Sequence, residues 1–127
     1  MKKDNILHVK SKAFAIRVIN TFKYLQINKK EFVLSKQMLR SGTAIGALIK
    51  ESEFAQSKKD FLNKLYISLK EANETQYWIE LLFETEYITK FEFDSLNDDC
   101  LELIKLLVSI TKTVKQNLDN EKVAIRK

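Results

Sequence analysis

Proline is absent from this chain, and its only glycines are Gly42 and Gly46. A β-rich domain of this size needs Gly, Pro and Asn turns at short intervals, so their scarcity points to an all-α fold. Cysteine occurs once, at Cys100, which excludes an internal disulfide framework and fits a reducing, cytoplasmic setting. Such a cysteine is expected to be a small buried helix residue rather than a reactive thiol. Histidine also occurs once, at His8. One His and one Cys cannot complete an ordinary zinc site, and the inward Glu-x-x-His pairs of iron or manganese bundles are missing. A Ser-His-Asp arrangement would have to use His8, for which a partly exposed bystander is the expectation. No apolar run reaches the ~18 residues of a membrane span. The stretch MKKDNILHVKSK interrupts its apolar residues with charge too soon for a signal peptide. No cofactor, metal or membrane partner is expected, and the chain reads as a non-enzyme.

What is present is helix-forming and amphipathic. The 127 residues, 45% hydrophobic, suffice for a single domain over 1–127 that buries about two-thirds of its unfolded surface. Charge is unevenly placed. Residues 1–40 hold ten Lys/Arg against Asp4 and Glu31, a balance of +8, whereas residues 41–127 balance to −3. A basic segment of that kind can attract a polyanion. Its cations are Lys2, Lys3, Lys10, Lys12, Arg17, Lys23, Lys29, Lys30 and Lys36, with Arg40 at its end.

Three sites place a capping side chain three residues before an acid: Asn28 with Glu31, Ser57 with Asp60, and Thr89 with Glu92. In such capping boxes two orphan amides at a helix start are satisfied reciprocally. With a weaker start at Asp4 or Asn5, the spacing predicts helices over about 6–26, 29–54, 58–87 and 90–119, then a charged tail over 120–127. Apolar residues recur at alternating steps of three and four in the third and fourth helices: Leu62, Leu65, Leu69, Ala72, Gln76, Ile79 and Phe83; Leu96, Cys100, Leu103, Leu107, Ile110 and Val114; the first helix carries Phe14, Val18, Phe22 and Leu25, and the second Phe32, Leu39, Ile45, Leu48 and Ile49. That period specifies an up-and-down antiparallel four-helix bundle. Further apolar residues, among them Tyr66, Ile67, Tyr77, Trp78, Leu101, Ile104 and Val108, widen the third and fourth helices. Helices apolar over more than half their circumference bury a second face, so another subunit is expected.

RSGTAIG, residues 40–46, sets both glycines one turn apart inside the second helix, at a cost of about 1 kcal/mol each relative to alanine. No strand precedes them and no Lys-Ser/Thr follows, so they do not form a phosphate loop. Antiparallel register about a turn near Gln56 brings Arg40 beside Glu71. The same register lays Gly42 and Gly46 beneath the third helix or a neighbouring subunit's helix, as close-approach positions.

The run from Gln37 to Leu82 resembles the signature region of the bacterial four-helix-bundle proteins encoded in intervening sequences of 23S rRNA genes. The elements that match are Arg40-Ser41-Gly42, Ile45-Gly46, Glu51, Ser57 with Asp60-Phe61, Ser68-Leu69-Lys70-Glu71, Glu74-Thr75 and Tyr77-Trp78. The family usually has Asn where Leu48 stands, and Gly or Ala at the positions of Ser52 and Ile67. The resemblance implies a ring-like homo-oligomer, a homopentamer, with a formal charge of five times +5. It further implies kinship with the accessory proteins of diversity-generating retroelements, basic barrels that assist a reverse transcriptase while binding nucleic acid. The family name records gene location and does not establish ribosome membership. The function expected is a non-catalytic, RNA- or DNA-binding accessory protein that grips phosphates through its basic amino-terminal half. With no aromatic interleaving, structured or duplex backbones are the expected ligand. The alternative is an interaction scaffold that binds a polymerase or other protein without touching nucleic acid.

Overall fold

The computed structural model describes the backbone of residues 2–126 and the side chains of residues 6–125. Four helices account for nearly all of it: α1 (Lys2–Lys29), α2 (Leu34–Ser52), α3 (Lys58–Glu84) and α4 (Lys90–Arg126). Each packs on the next in chain order and α1 touches α4, while the diagonal pairs do not meet. The arrangement is an up-and-down four-helix bundle. No strand occurs among the described residues.

The helix starts follow the capping chemistry at two of the three expected sites. At α4, Glu92 N–H donates to Thr89 Oγ1 at 3.1 Å and Thr89 N–H donates back to Glu92 Oε1 at 2.8 Å. At α3, Ser57 Oγ accepts from Asp60 N–H at 3.0 Å, and the Asp60 carboxylate accepts from Gln56 N–H. The third site behaves differently. α1 runs on through Asn28 to Lys29, Lys30 takes a left-handed φ of 55°, and Glu31 N–H closes back on Leu25 O at 3.0 Å. Asn28 therefore ends one helix instead of capping another. Glu31 caps α2 alone, its carboxylate accepting from the amides of Val33, Leu34 and Ser35 at 3.2, 3.0 and 2.7 Å. Phe32, expected on the second helix's buried stripe, falls in this turn and is exposed. At the far end, the charged tail expected over 120–127 is helical through Arg126, because its spacing continues α4 without a breaker.

The core joins Leu7, Phe14, Val18 and Leu25 of α1 to Met38, Ile45 and Ile49 of α2, Leu65, Ala72, Ile79 and Leu82 of α3, and Leu96, Cys100, Leu103, Leu107 and Ile110 of α4. The stripe of α4 is the one expected, with Val114 at its half-buried edge. That of α3 is rotated by about one position. Ser68, Thr75 and Leu82 face inward, while Leu69, Gln76 and Phe83 are half-buried. The rotation brings small hydroxyls onto the α2–α3 contact. Ser68 Oγ donates to Ile45 O at 2.9 Å and Thr75 Oγ1 to Ser41 Oγ at 2.8 Å. Each bond satisfies a buried polar group and contributes on the order of 1 kcal/mol.

The glycines serve a different neighbour from the one expected. A Cβ on Gly42 would lie 2.9 and 3.0 Å from the Val18 methyls, and one on Gly46 would lie 3.4 Å from Ser11 O. Both positions therefore seat α1, not α3. The α2–α3 register lies within a few residues of the one expected but the face differs: Ser41 and Ile45, each one position before a glycine, are those that meet α3.

Candidate nucleic-acid interface

The nine candidate cations divide into three groups. The side chains of Lys2 and Lys3 lie outside the described residues. Lys10 and Arg17 are engaged with α4: Lys10 Nζ pairs with Glu102 at 2.9 Å, and Arg17 bonds Asp99 at 2.7 Å, Ser95 O at 3.0 Å and Ser95 Oγ at 2.8 Å. Both tie α1 to α4 across the most sparsely packed seam of the bundle. Lys12, Lys23, Lys29, Lys30 and Lys36 are exposed, and no ion pair holds them among the described residues. They follow α1 to the α1–α2 turn, where Lys29, Lys30 and Lys36 flank the exposed Phe32 and Val33 along the chain.

That turn is stiff. Burial alone would raise the pKa of the Glu31 carboxyl, but the amides of Ser35, Leu34 and Val33 and the Ser35 hydroxyl outweigh it, so the group is held below its ordinary value. The ionised Glu31 locks the backbone between the lysines and sets Phe32 outward. An aromatic ring thus stands among basic residues, although the sequence shows no interleaving. The same end of the bundle carries Glu80 and Glu84 on α3, Glu86 in the α3–α4 turn and Asp94 on α4, so at this end the basic surface lies on the α1–α2 side.

The residues of the sequence signature have structural partners. Arg40 pairs with Glu71 at 3.3 Å, as register predicts, and also with Glu74, which accepts from Trp78 Nε1. Glu51 lies 3.8 Å from Lys64 Nζ, Asp60 completes the α3 cap, and Phe61 packs against the core. His8 is half-buried with Nδ1 3.5 Å from Glu53. Cys100 is buried, its thiol donating to Ala72 O at 3.3 Å, and burial followed by the nearby Asp99 charge pushes its pKa up to about 12. Among the described residues, no group of three His, Cys, Asp or Glu is placed to hold a metal ion, and no helix is long and apolar enough to cross a membrane.

Two features were not identified from the sequence. One is an open groove between α3 and α4 around Tyr66. The other is an apolar stripe on the outer side of α1, comprising Ile6, Val9, Ile16 and Ile27. Its steps of three, seven and eleven residues, each close to a whole number of helical turns, were available in the sequence. A helix with two apolar faces shows little net amphipathicity, and the inner face alone accounted for the bundle.

Four antiparallel helices with a shared apolar core and a basic first hairpin define a helical-bundle protein whose prominent chemistry is surface charge. The chain belongs to the family described as 23S rRNA-intervening sequence protein, which matches over residues 3–109. It is similar to a Bacteroides thetaiotaomicron protein of unknown function from the S23 ribosomal protein family, known from a crystal structure. The two are 59% identical, with 87% of this chain and 98% of that one covered and a TM-score of 0.86. No protein of curated function matches.

Proposed function

We propose that this protein is a non-catalytic, homo-oligomeric accessory protein of the cytoplasm that binds nucleic acid, RNA first, through its phosphate backbone. The observation that carries the reading is the set of five exposed lysines on α1 and the α1–α2 turn, Lys12, Lys23, Lys29, Lys30 and Lys36, none held in an ion pair among the described residues. The family's naming for an rRNA intervening sequence is the reason RNA is tested first; as a record of gene location it does not by itself choose between RNA and DNA. Each lysine neutralises a phosphate and releases counterions, giving affinity that falls steeply with salt and depends weakly on sequence. Lys10 and Arg17 contribute less, since α4 carboxylates already neutralise them.

The test is binding of a labelled structured RNA at roughly 50 and 200 mM salt, where several phosphate contacts cost about 10³-fold in affinity. Replacing Lys29, Lys30 and Lys36 by Ala lowers the slope of log K against log salt by about one per lysine on a duplex. Absence of binding at the lower salt leaves the second reading, an interaction scaffold. That reading rests on the exposed apolar residues of α1. A homo-oligomer, a pentameric ring in particular, accommodates both readings and multiplies the basic surface.

A further inference from the structure

The α1–α2 hairpin carries a cleft that its lysines frame. From Asn5 to Lys30 and from Phe32 to Lys50 the sequence contains no Asp or Glu. Glu31, the one acid between them, is buried and spent on the α2 amides. The outer surface of the hairpin over these stretches therefore has no carboxylate of its own to neutralise its cations. On that surface Ala15, Thr43, Gly46 and Ala47 floor a cleft of about 300 Å³, with Lys12 on one wall and Lys50 on the other. Both lysines are exposed, and no ion pair holds either among the described residues. Lys50 stands outside the basic amino-terminal segment, so the charge balance along the chain did not single it out.

A second lysine pair lies farther along the same face. Lys12 and Lys23 are eleven residues apart, and Lys36, Thr43 and Lys50 recur every seven, so each set returns to one side of its helix. Gly46 lies against Ser11 and Gly42 against Val18. Continuing that antiparallel register brings Lys23 level with Lys36. We infer that the α1–α2 face is a track for one phosphodiester strand of an RNA, gripped by Lys12 and Lys50 at one end and by Lys23 and Lys36 at the other. By helix rise the two pairs are roughly 16–21 Å apart, about five or six nucleotides of a stacked strand. The inference rests on the nucleic-acid reading of the proposed function and adds to it a path, a length and Lys50.

The chemistry of the cleft selects backbone over base. Ser11 Oγ donates to His8 O at 3.1 Å and Thr43 Oγ1 to Leu39 O at 2.7 Å, so the hydroxyls at the floor are already engaged as donors. The lysine ammonium groups remain as free donors, point charges that suit a phosphate and read no base edge. The nearest acids in the sequence are occupied elsewhere. Glu53 lies 3.5 Å from His8 Nδ1, and Glu51 lies 3.8 Å from Lys64 Nζ of α3. Neither lines the cleft. Ala15 and Ala47 end at Cβ, so no side chain rises between the lysine walls to block a strand.

The experiment titrates the full chain with a labelled RNA strand of roughly twelve nucleotides, about twice the track, at several salt concentrations. Circular dichroism confirms the helices of each variant. Lys12→Ala/Lys50→Ala weakens binding roughly tenfold at low salt and lowers the slope of log K against log salt by about 0.7 per lysine. Lys105→Ala/Lys112→Ala removes the same charge from exposed positions of α4 and changes affinity by less than about threefold. Ala47→Trp keeps every lysine, fills the cleft from an exposed position, and weakens binding as the lysine pair does. With a wild type that binds RNA, cleft variants that bind equally well, or an α4 variant that loses as much, would overturn the track and leave the proposed function standing. Loss confined to the Lys29, Lys30 and Lys36 alanine variant would do the same, assigning binding to the turn alone. A wild type that binds no RNA overturns both. Displacement of the RNA by polyglutamate at equal charge would overturn the choice of a phosphodiester strand in favour of an acidic peptide.

Discussion

Glu31 shows how one side chain can substitute for a motif. Its spacing from Asn28 suggested a shared cap, but the carboxylate alone meets three α2 amides, and Asn28 remains in α1. Replacing it with Gln puts amide protons against those donors and is expected to cost about 1–2 kcal/mol at neutral pH. Because the folded pKa lies below the ordinary glutamate value of 4.5, this stabilisation is complete above that pH and is lost as pH falls through the folded value. Denaturant titrations of wild type and Glu31→Gln should therefore converge on acidification; a constant gap would mean that ionisation is irrelevant to the cap. Gly42 and Gly46 offer a second contrast. Alanine gains about 1 kcal/mol of helix propensity at either site. At Gly42 it meets the stiff Val18 methyls at 2.9 Å, so Gly42→Ala should lose about 1–2 kcal/mol net and be rescued by Val18→Ala. Gly46→Ala, with 3.4 Å of room, should stay within about 0.5 kcal/mol of wild type. The spacing of these glycines announced close packing, but the helix they face depends on a rotation of α2 that spacing does not encode.

At the scale of elements, the starts of α3 and α4 were legible because capping is local: Ser57 and Thr89 need only their own next turn. The end of α1 was not, since a left-handed Lys30 leaves no composition signal. The α1–α4 seam is likewise a tertiary matter. Arg17 looked like one more basic residue, yet it bonds Ser95 and Asp99. Both ends of the pair are partly exposed, so Arg17→Ala should cost roughly 1 kcal/mol in thermal or denaturant unfolding. The same variant should change the salt slope of RNA binding less than Lys23→Ala does. Equal slope changes for the two would show that Arg17 also reaches phosphate.

At the scale of the whole molecule, the proposed assembly and the proposed nucleic-acid binding would be linked by multivalency. A variant that charges the exposed apolar stripe of α1, Val9→Asp/Ile16→Asp, is expected to weaken the proposed assembly while keeping every lysine, so its affinity for a short RNA that contacts one subunit should match wild type. For a long structured RNA, loss of simultaneous engagement should cost about 10²-fold or more. Electrophoretic titration with short and long RNAs checks this, and equal affinities on the long RNA would show that one subunit suffices.

The bundle itself was determined by the sequence alone. Absence of proline, a period of three and four, and local caps are properties of contiguous residues, and they specify helices and antiparallel order before any packing occurs. What only the tertiary structure decided is which side of each helix faces which neighbour. That choice turned Gly42 towards Val18, brought Ser68 and Thr75 inward, and drew Lys10 and Arg17 onto α4 while leaving five other lysines open. The physical reason is that where apolar residues flank a helix's stripe, a turn of a few tens of degrees changes its apolar burial little, yet it exchanges side-chain partners along its length.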